Sequence, residues 1–149
     1  MRVMQSFLMF FYILDQCYEQ CPENDLGGFL GSISPELWED GKPMDKAVYN
    51  DWKVRNDAAL LNSQNIINAT LDFLQFYQTK FGLDFSKTRS ILENTSGIEM
   101  LEKAATKTDL MYKSIIIMIS IYSPGFSGRD SRGRVAFHHP AFNLLILGW

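Results

Sequence analysis

The run Phe7-Leu8-Met9-Phe10-Phe11-Tyr12-Ile13-Leu14 constrains the fold of this chain more than any other stretch. An uncharged segment of that kind belongs in a membrane, in a secretory leader or in a core. It falls far short of the ~20 residues that a membrane span needs. A leader would carry an unbroken apolar segment after Arg2 and end at a small-x-small cleavage site. Here Gln5 and Ser6 interrupt the approach, Asp15 ends the run, and no such site comes after it. Leu14-Asp15-Gln16-Cys17 also lacks the small residues that precede a lipoprotein cysteine. The pattern therefore predicts a core helix. Val3, Phe7, Phe10, Leu14, Cys17 and Cys21 recur at spacings of four and three, and Met4, Leu8, Phe11 and Tyr18 widen the stripe.

A core helix needs partners, and a chain of 149 residues is long enough to supply one domain of them. Apolar residues make up 46% and charged residues 21%, which excludes wholesale disorder, and the 11 Phe and 6 Tyr are enough for a sizeable core. A formal charge of −3 argues against a protein that coats nucleic acid, because phosphate binding needs a basic surface. Two cysteines are too few for a disulfide scaffold, so a reducing, cytoplasmic setting is expected.

Local signals divide the chain. Pro22-Glu23-Asn24 stops the first helix, and Asp25 reads as the N-cap of a short helix through Ile33. Gly27 and Gly28 fall in its first turn, where glycine is tolerable only if something packs close. Asp40-Gly41 makes a turn, and Asp45 reads as the N-cap of a third helix carrying Ala47, Val48, Tyr49 and Trp52. From Leu60 to Phe81 the apolar spacing is helical again, with Gly82 as its stop, and Ser86 caps another short helix. The stretch 97–122 begins helical, but Ser114–Tyr122 is continuous and β-branched, so it reads equally as a buried helix end or a buried strand. The expected fold is mainly α, a compact bundle of about five or six helices over residues 1–122, with short β segments after Ser114 left open. Residues 123–149 differ in texture and read as an extension packed on the bundle or forming a small hairpin.

Charge is unevenly spread. Residues 1–45 hold eight acids against two bases, whereas residues 103–149 hold six bases against two acids. An acidic lobe focuses a field that speeds encounter with a basic partner, although such a run can equally be a solvated face. Trp38 and Trp52 sit among those acids. Trp52, inside a helix, reads as core, while Trp38, beside a turn, reads equally as core or as a surface anchor.

Signals for catalysis are absent. Cys17 and Cys21 lie one helical turn apart with no histidine near them in sequence, and they read as buried thiols. His138 and His139 are adjacent, so on an extended backbone they point apart. No nucleophile with an oriented base and no phosphate loop can be found. The chain is not expected to be an enzyme, nor to need a metal or cofactor.

The stretch from Asp25-Leu26-Gly27-Gly28-Phe29-Leu30-Gly31 through Ser34-Pro35-Glu36-Leu37, then Asp40-Gly41-Lys42-Pro43-Met44-Asp45-Lys46-Ala47 and a closing Asp51-Trp52, carries a resemblance. It resembles small bacterial immunity proteins encoded beside polymorphic toxins, including contact-dependent growth inhibition systems. Their shared pattern is D-L-G-G-x-L-G-x-x-S-P-x-L, then D-G-x-P-x-D-x-A and D-W. The resemblance spans about residues 4–53; Lys46 stands where members often have Pro, and Tyr49 where they often have Trp. It implies an antitoxin function: the chain would bind a cognate toxin domain, a basic nuclease, and occlude its active or substrate-binding surface in the cytoplasm, without touching nucleic acid or membrane itself. Asp25, Glu36, Trp38, Glu39, Asp40, Asp45 and Asp51 are the candidate toxin-binding residues. The rival reading is a helical scaffold or regulatory adaptor with no toxin partner.

Overall fold

A computed structural model describes residues 1–38, 41–94 and 97–122. Among them six α-helices occur in order: α1 (Val3–Gln20), α2 (Asn24–Ile33), α3 (Lys46–Arg55), α4 (Ile66–Phe81), α5 (Ser86–Asn94) and α6 (Ile98–Tyr122). A 3-10 turn, Pro35–Leu37, comes after α2, and the described residues contain no strand. The chain is a mainly-α bundle. The extension 123–149 and Glu39-Asp40 lie outside the described residues.

The apolar run explains the architecture. α1 is buried on nearly every side from Ser6 to Leu14, with Phe7, Leu8, Phe10, Ile13, Leu14 and Cys17 all at 0% exposure. A helix that is apolar all round must be enclosed, and α1 contacts each of the other five helices. Burial therefore exceeds the expected stripe at Met9, Tyr12 and Ile13. It falls short of it at Tyr18, which is exposed, and at Cys21, which is only half-buried. Around Phe10 the rings of Trp52, Phe73 and Phe29 stand at 4.4, 5.2 and 6.2 Å between centroids. Aromatic packing of this kind contributes beyond the area it buries.

Polar groups of α1 and α3 drawn into this core are bonded, as burial requires. The Trp52 indole N–H donates to Ser6 Oγ at 3.0 Å. The Gln16 side-chain amide donates to the Tyr12 and Met100 carbonyls, tying α1 to α6. Gln16 with Met100, Met9 with Thr108 and Arg2 with Tyr112 make α1 and α6 antiparallel.

Several boundaries differ from expectation. Asp25 lies inside the first turn of α2, whose N-cap position is Glu23. Its carboxylate instead accepts the Asp84 N–H at 2.7 Å. Gly27 meets the close neighbour its position demands, since a Cβ there would lie 3.0 Å from the Tyr18 ring, but Gly28 faces open space. α4 starts at Ile66 rather than near Leu60, because Asp57, Asn62 and Asn65 bond local backbone groups and hold the chain in turns; Leu60 is 70% exposed. Gly82 ends α4 in the left-handed conformation, as its placement predicts. Ser86 is the first residue of α5, not its cap. Ser114–Tyr122 is helical throughout, and Ser114–Ile121 is only partly buried.

Candidate functional site

Only part of the acidic set is available to a partner. The Asp45 carboxylate accepts the Ala47 and Val48 N–H groups and so caps α3, the role read from sequence. Asp51 accepts the Tyr77 hydroxyl at 3.0 Å and lies 3.6 Å from Lys80, joining α3 to α4. Asp25 is bonded to the backbone just before α5, as above. Trp38, open between core and surface on sequence, is 9% exposed; its indole N–H donates to the Ile33 carbonyl and its ring packs on Phe7. Its apolar area is therefore spent on the core rather than offered outward. Glu39 and Asp40 lie outside the described residues. Glu36, on the 3-10 turn, is exposed.

Glu36 borders a large open groove, about 540 Å³ between α1, the 3-10 turn and α6. Phe11 and Tyr12 from α1, Pro35, and Leu110 and Met111 from α6 supply apolar walls. Asp15 and Lys107 add opposite charges, with Lys107 Nζ 3.5 Å from Asp15 and 3.8 Å from Glu19. The same ammonium stands 5.7 Å from the centre of the Tyr12 ring, within cation–π range. Burial first, and then the charges of Asp15 and Glu36, push the Tyr12 hydroxyl up to about 12, so it stays a neutral donor at physiological pH. Glu36 makes no hydrogen bond or ion pair with another described residue. The groove thus already holds one cation over an aromatic face between carboxylates and leaves a further carboxylate free.

Sequence reading missed Asp15, Tyr12 and Lys107 as parts of one site, since they come together only when α1 and α6 pair. One signal was present: Asp15 is the charge that ends the apolar run, and a charge there must face an opening in an otherwise enclosed helix. Glu23 was also missed. Its buried carboxylate accepts the Lys87 and Thr88 N–H groups and the Thr88 hydroxyl at 2.9, 3.1 and 2.7 Å, capping α5 from across the bundle.

Cys17 is fully buried, and burial together with Glu23 pushes its thiol up to about 12, which keeps it protonated. No group of three or more His, Cys, Asp or Glu is arranged to hold a metal among the described residues. His138 and His139 lie outside them. No helix there is long and apolar enough to cross a membrane.

Comparison with known proteins adds no relative: no family model, no curated protein and no solved structure matches this chain.

Proposed function

We propose that this chain is an immunity-type binding protein that captures a basic toxin domain, a nuclease, and neutralises it in the cytoplasm by covering its nucleic-acid surface. The observation that carries the reading is the groove of Glu36, Asp15 and Tyr12, in which Lys107 marks the kind of group it accepts. A lysine or arginine of the toxin would place its charge beside Glu36 and lay its stem along Leu110 and Met111. Groups that a nuclease uses to hold phosphate would then be paired with carboxylates. The chain acts by occlusion and performs no chemistry of its own. Because free toxin kills, the pair should be tight, with a Kd in the low nanomolar range or below, or about −12 kcal/mol.

The test is co-expression with the product of the adjacent gene, then copurification and a growth-protection assay. Glu36→Lys should slow association and weaken protection while leaving the Tm within a degree or two, since exposed substitutions rarely change stability by more than ~0.5 kcal/mol. A neighbour that is neither toxic nor bound would favour the scaffold or adaptor reading instead. Unchanged protection by Glu36→Lys against a toxin that does bind would move the interface away from this groove.

A further inference from the structure

A basic hollow opens beside α3, on residues that the acidic groove does not use. It measures about 340 Å³ and is lined by Val3, Lys42, Lys46, Tyr49, Asn50 and Lys53. Lys46, Tyr49, Asn50 and Lys53 recur on α3 at the three-and-four spacing of one helix face. Lys42 comes from the turn before α3, and Val3 is the first residue of α1. Tertiary contacts hold these pieces in place. The Asp45 carboxylate caps α3, and the Asp45 N–H donates to the Ser32 carbonyl at 3.2 Å. The Tyr49 ring stands edge-on to Phe7, with 5.1 Å between centroids. Gly41, just before Lys42, turns with a φ of 68° where a Cβ would lie 2.6 Å from Ile119.

The lining is chemically one-sided. It holds three lysines and no carboxylate, in a chain whose formal charge is −3. Among the described residues no carboxylate stands within ion-pair range of any of the three. Burial pushes the Tyr49 hydroxyl above its ordinary value, so it stays protonated and able to donate. The Asn50 amide adds two further donors. Three like charges around one opening raise its potential and draw anions into it.

We propose that this hollow binds a phosphorylated small molecule, with a phosphate or pyrophosphate group seated among Lys42, Lys46 and Lys53. Three positive charges match an anion of more than one charge. A phosphate monoester carries about −1.5 to −2 at pH 7 and three strong acceptor oxygens, whereas a lone carboxylate brings a single charge. The volume falls in the range of small-molecule sites, about 300–1,000 Å³. A nucleic-acid surface would instead carry its bases in an extended stripe. Here Arg55, further along α3, lies over the Phe76 ring of α4 and does not line the hollow.

Inorganic pyrophosphate, titrated into the full-length chain and followed by amide chemical shifts, is the probe. It should shift the amides of Lys42, Lys46 and Lys53 and bind with a Kd in the millimolar range or tighter. Lys46→Gln combined with Lys53→Gln should weaken binding about tenfold. The Tm should stay within a degree or two, since both positions are exposed. Lys87→Gln combined with Lys103→Gln removes the same charge from exposed positions outside the hollow and should leave binding nearly unchanged. No shifts at ~10 mM pyrophosphate, where a millimolar site is nearly full, overturn the proposal. Equal weakening by the two double variants also overturns it and reduces the lysines to a solvated basic face. Binding of the natural chain to vesicles of phosphatidylserine and phosphatidylcholine, without binding of pyrophosphate, overturns it too and assigns the lysines to a membrane surface.

Discussion

Phe10 sits where the rings of Phe7, Trp52, Phe73 and Phe29 converge, and nothing of it reaches solvent. Truncating such a residue removes its transfer free energy and leaves a cavity that stiff aromatic neighbours fill poorly, so Phe10→Ala should cost about 3–5 kcal/mol in urea unfolding. A loss under ~1 kcal/mol would mean that α1 is not the central helix. Titration offers a second check at this scale. Tyr12 and Cys17 are each pushed up to about 12, from ordinary values of 10.0 and 9.0. The folded state holds both protons more tightly than the unfolded state does. Their contribution is therefore complete below pH 9.0, declines as pH rises, and is lost by the time pH passes about 12. Replacing Tyr12 with Phe and Cys17 with Ala should flatten that alkaline decline. At pH 8, a thiol reagent should modify Cys21 readily and Cys17 only after unfolding, given their unequal burial.

At the scale of elements, two helix starts are capped by different routes. α3 is capped locally by Asp45, two and three residues from the N–H groups it accepts. α5 is capped by Glu23, whose buried carboxylate takes two N–H groups and the Thr88 hydroxyl. Asp45→Ala should cost about 1 kcal/mol, a typical value for a local cap. Glu23→Ala should cost more, about 2–3 kcal/mol, because it leaves buried donors unmet. Equal losses in matched urea titrations would show that water reaches the start of α5. The glycine turns make a parallel pair. Gly41 and Gly82 share a φ of 68°, but a Cβ at Gly82 meets nothing, whereas at Gly41 it strikes Ile119. Gly82→Ala should cost about 1 kcal/mol for the backbone alone. Gly41→Ala should exceed it, by as much as the flexible end of Ile119 fails to move aside.

For the whole molecule, the proposed capture of a toxin turns on the sign of charge around the groove. If the acidic lobe draws a basic toxin, its effect on association is Coulombic and weakens as the Debye length shrinks from ~10 Å at 0.1 M salt to ~3 Å at 1 M. Reversing Glu36, Glu39 and Asp40 to Lys should slow association at low salt and matter far less at high salt, as stopped-flow mixing would report. Reversing Arg129, Arg132 and Arg134 should matter much less for protection. Loss of protection in the C-terminal variant alone would place the interface at the other end of the chain.

The helices were legible before any tertiary structure because their signals are local. The three-and-four spacing around Phe7–Leu14 predicts a core helix with one wide apolar face. Asp45 bonds the bare N–H groups two and three residues ahead of it, and Gly82 supplies the left-handed residue that ends α4. Those effects act within a turn or two, so neighbouring residues determine them. Other features depend on which distant groups meet. The pattern at Ser114–Tyr122 suits helix or strand equally, and the choice came from continuing α6 past Arg2 to the Gly41 turn. Glu23 looked like one more surface acid until α5 presented its bare N–H groups to it. The groove is the clearest case: Asp15, Glu36 and Lys107 come from three separate elements. Only the antiparallel register of α1 on α6, set by side-chain packing over the whole bundle, brings them around one opening.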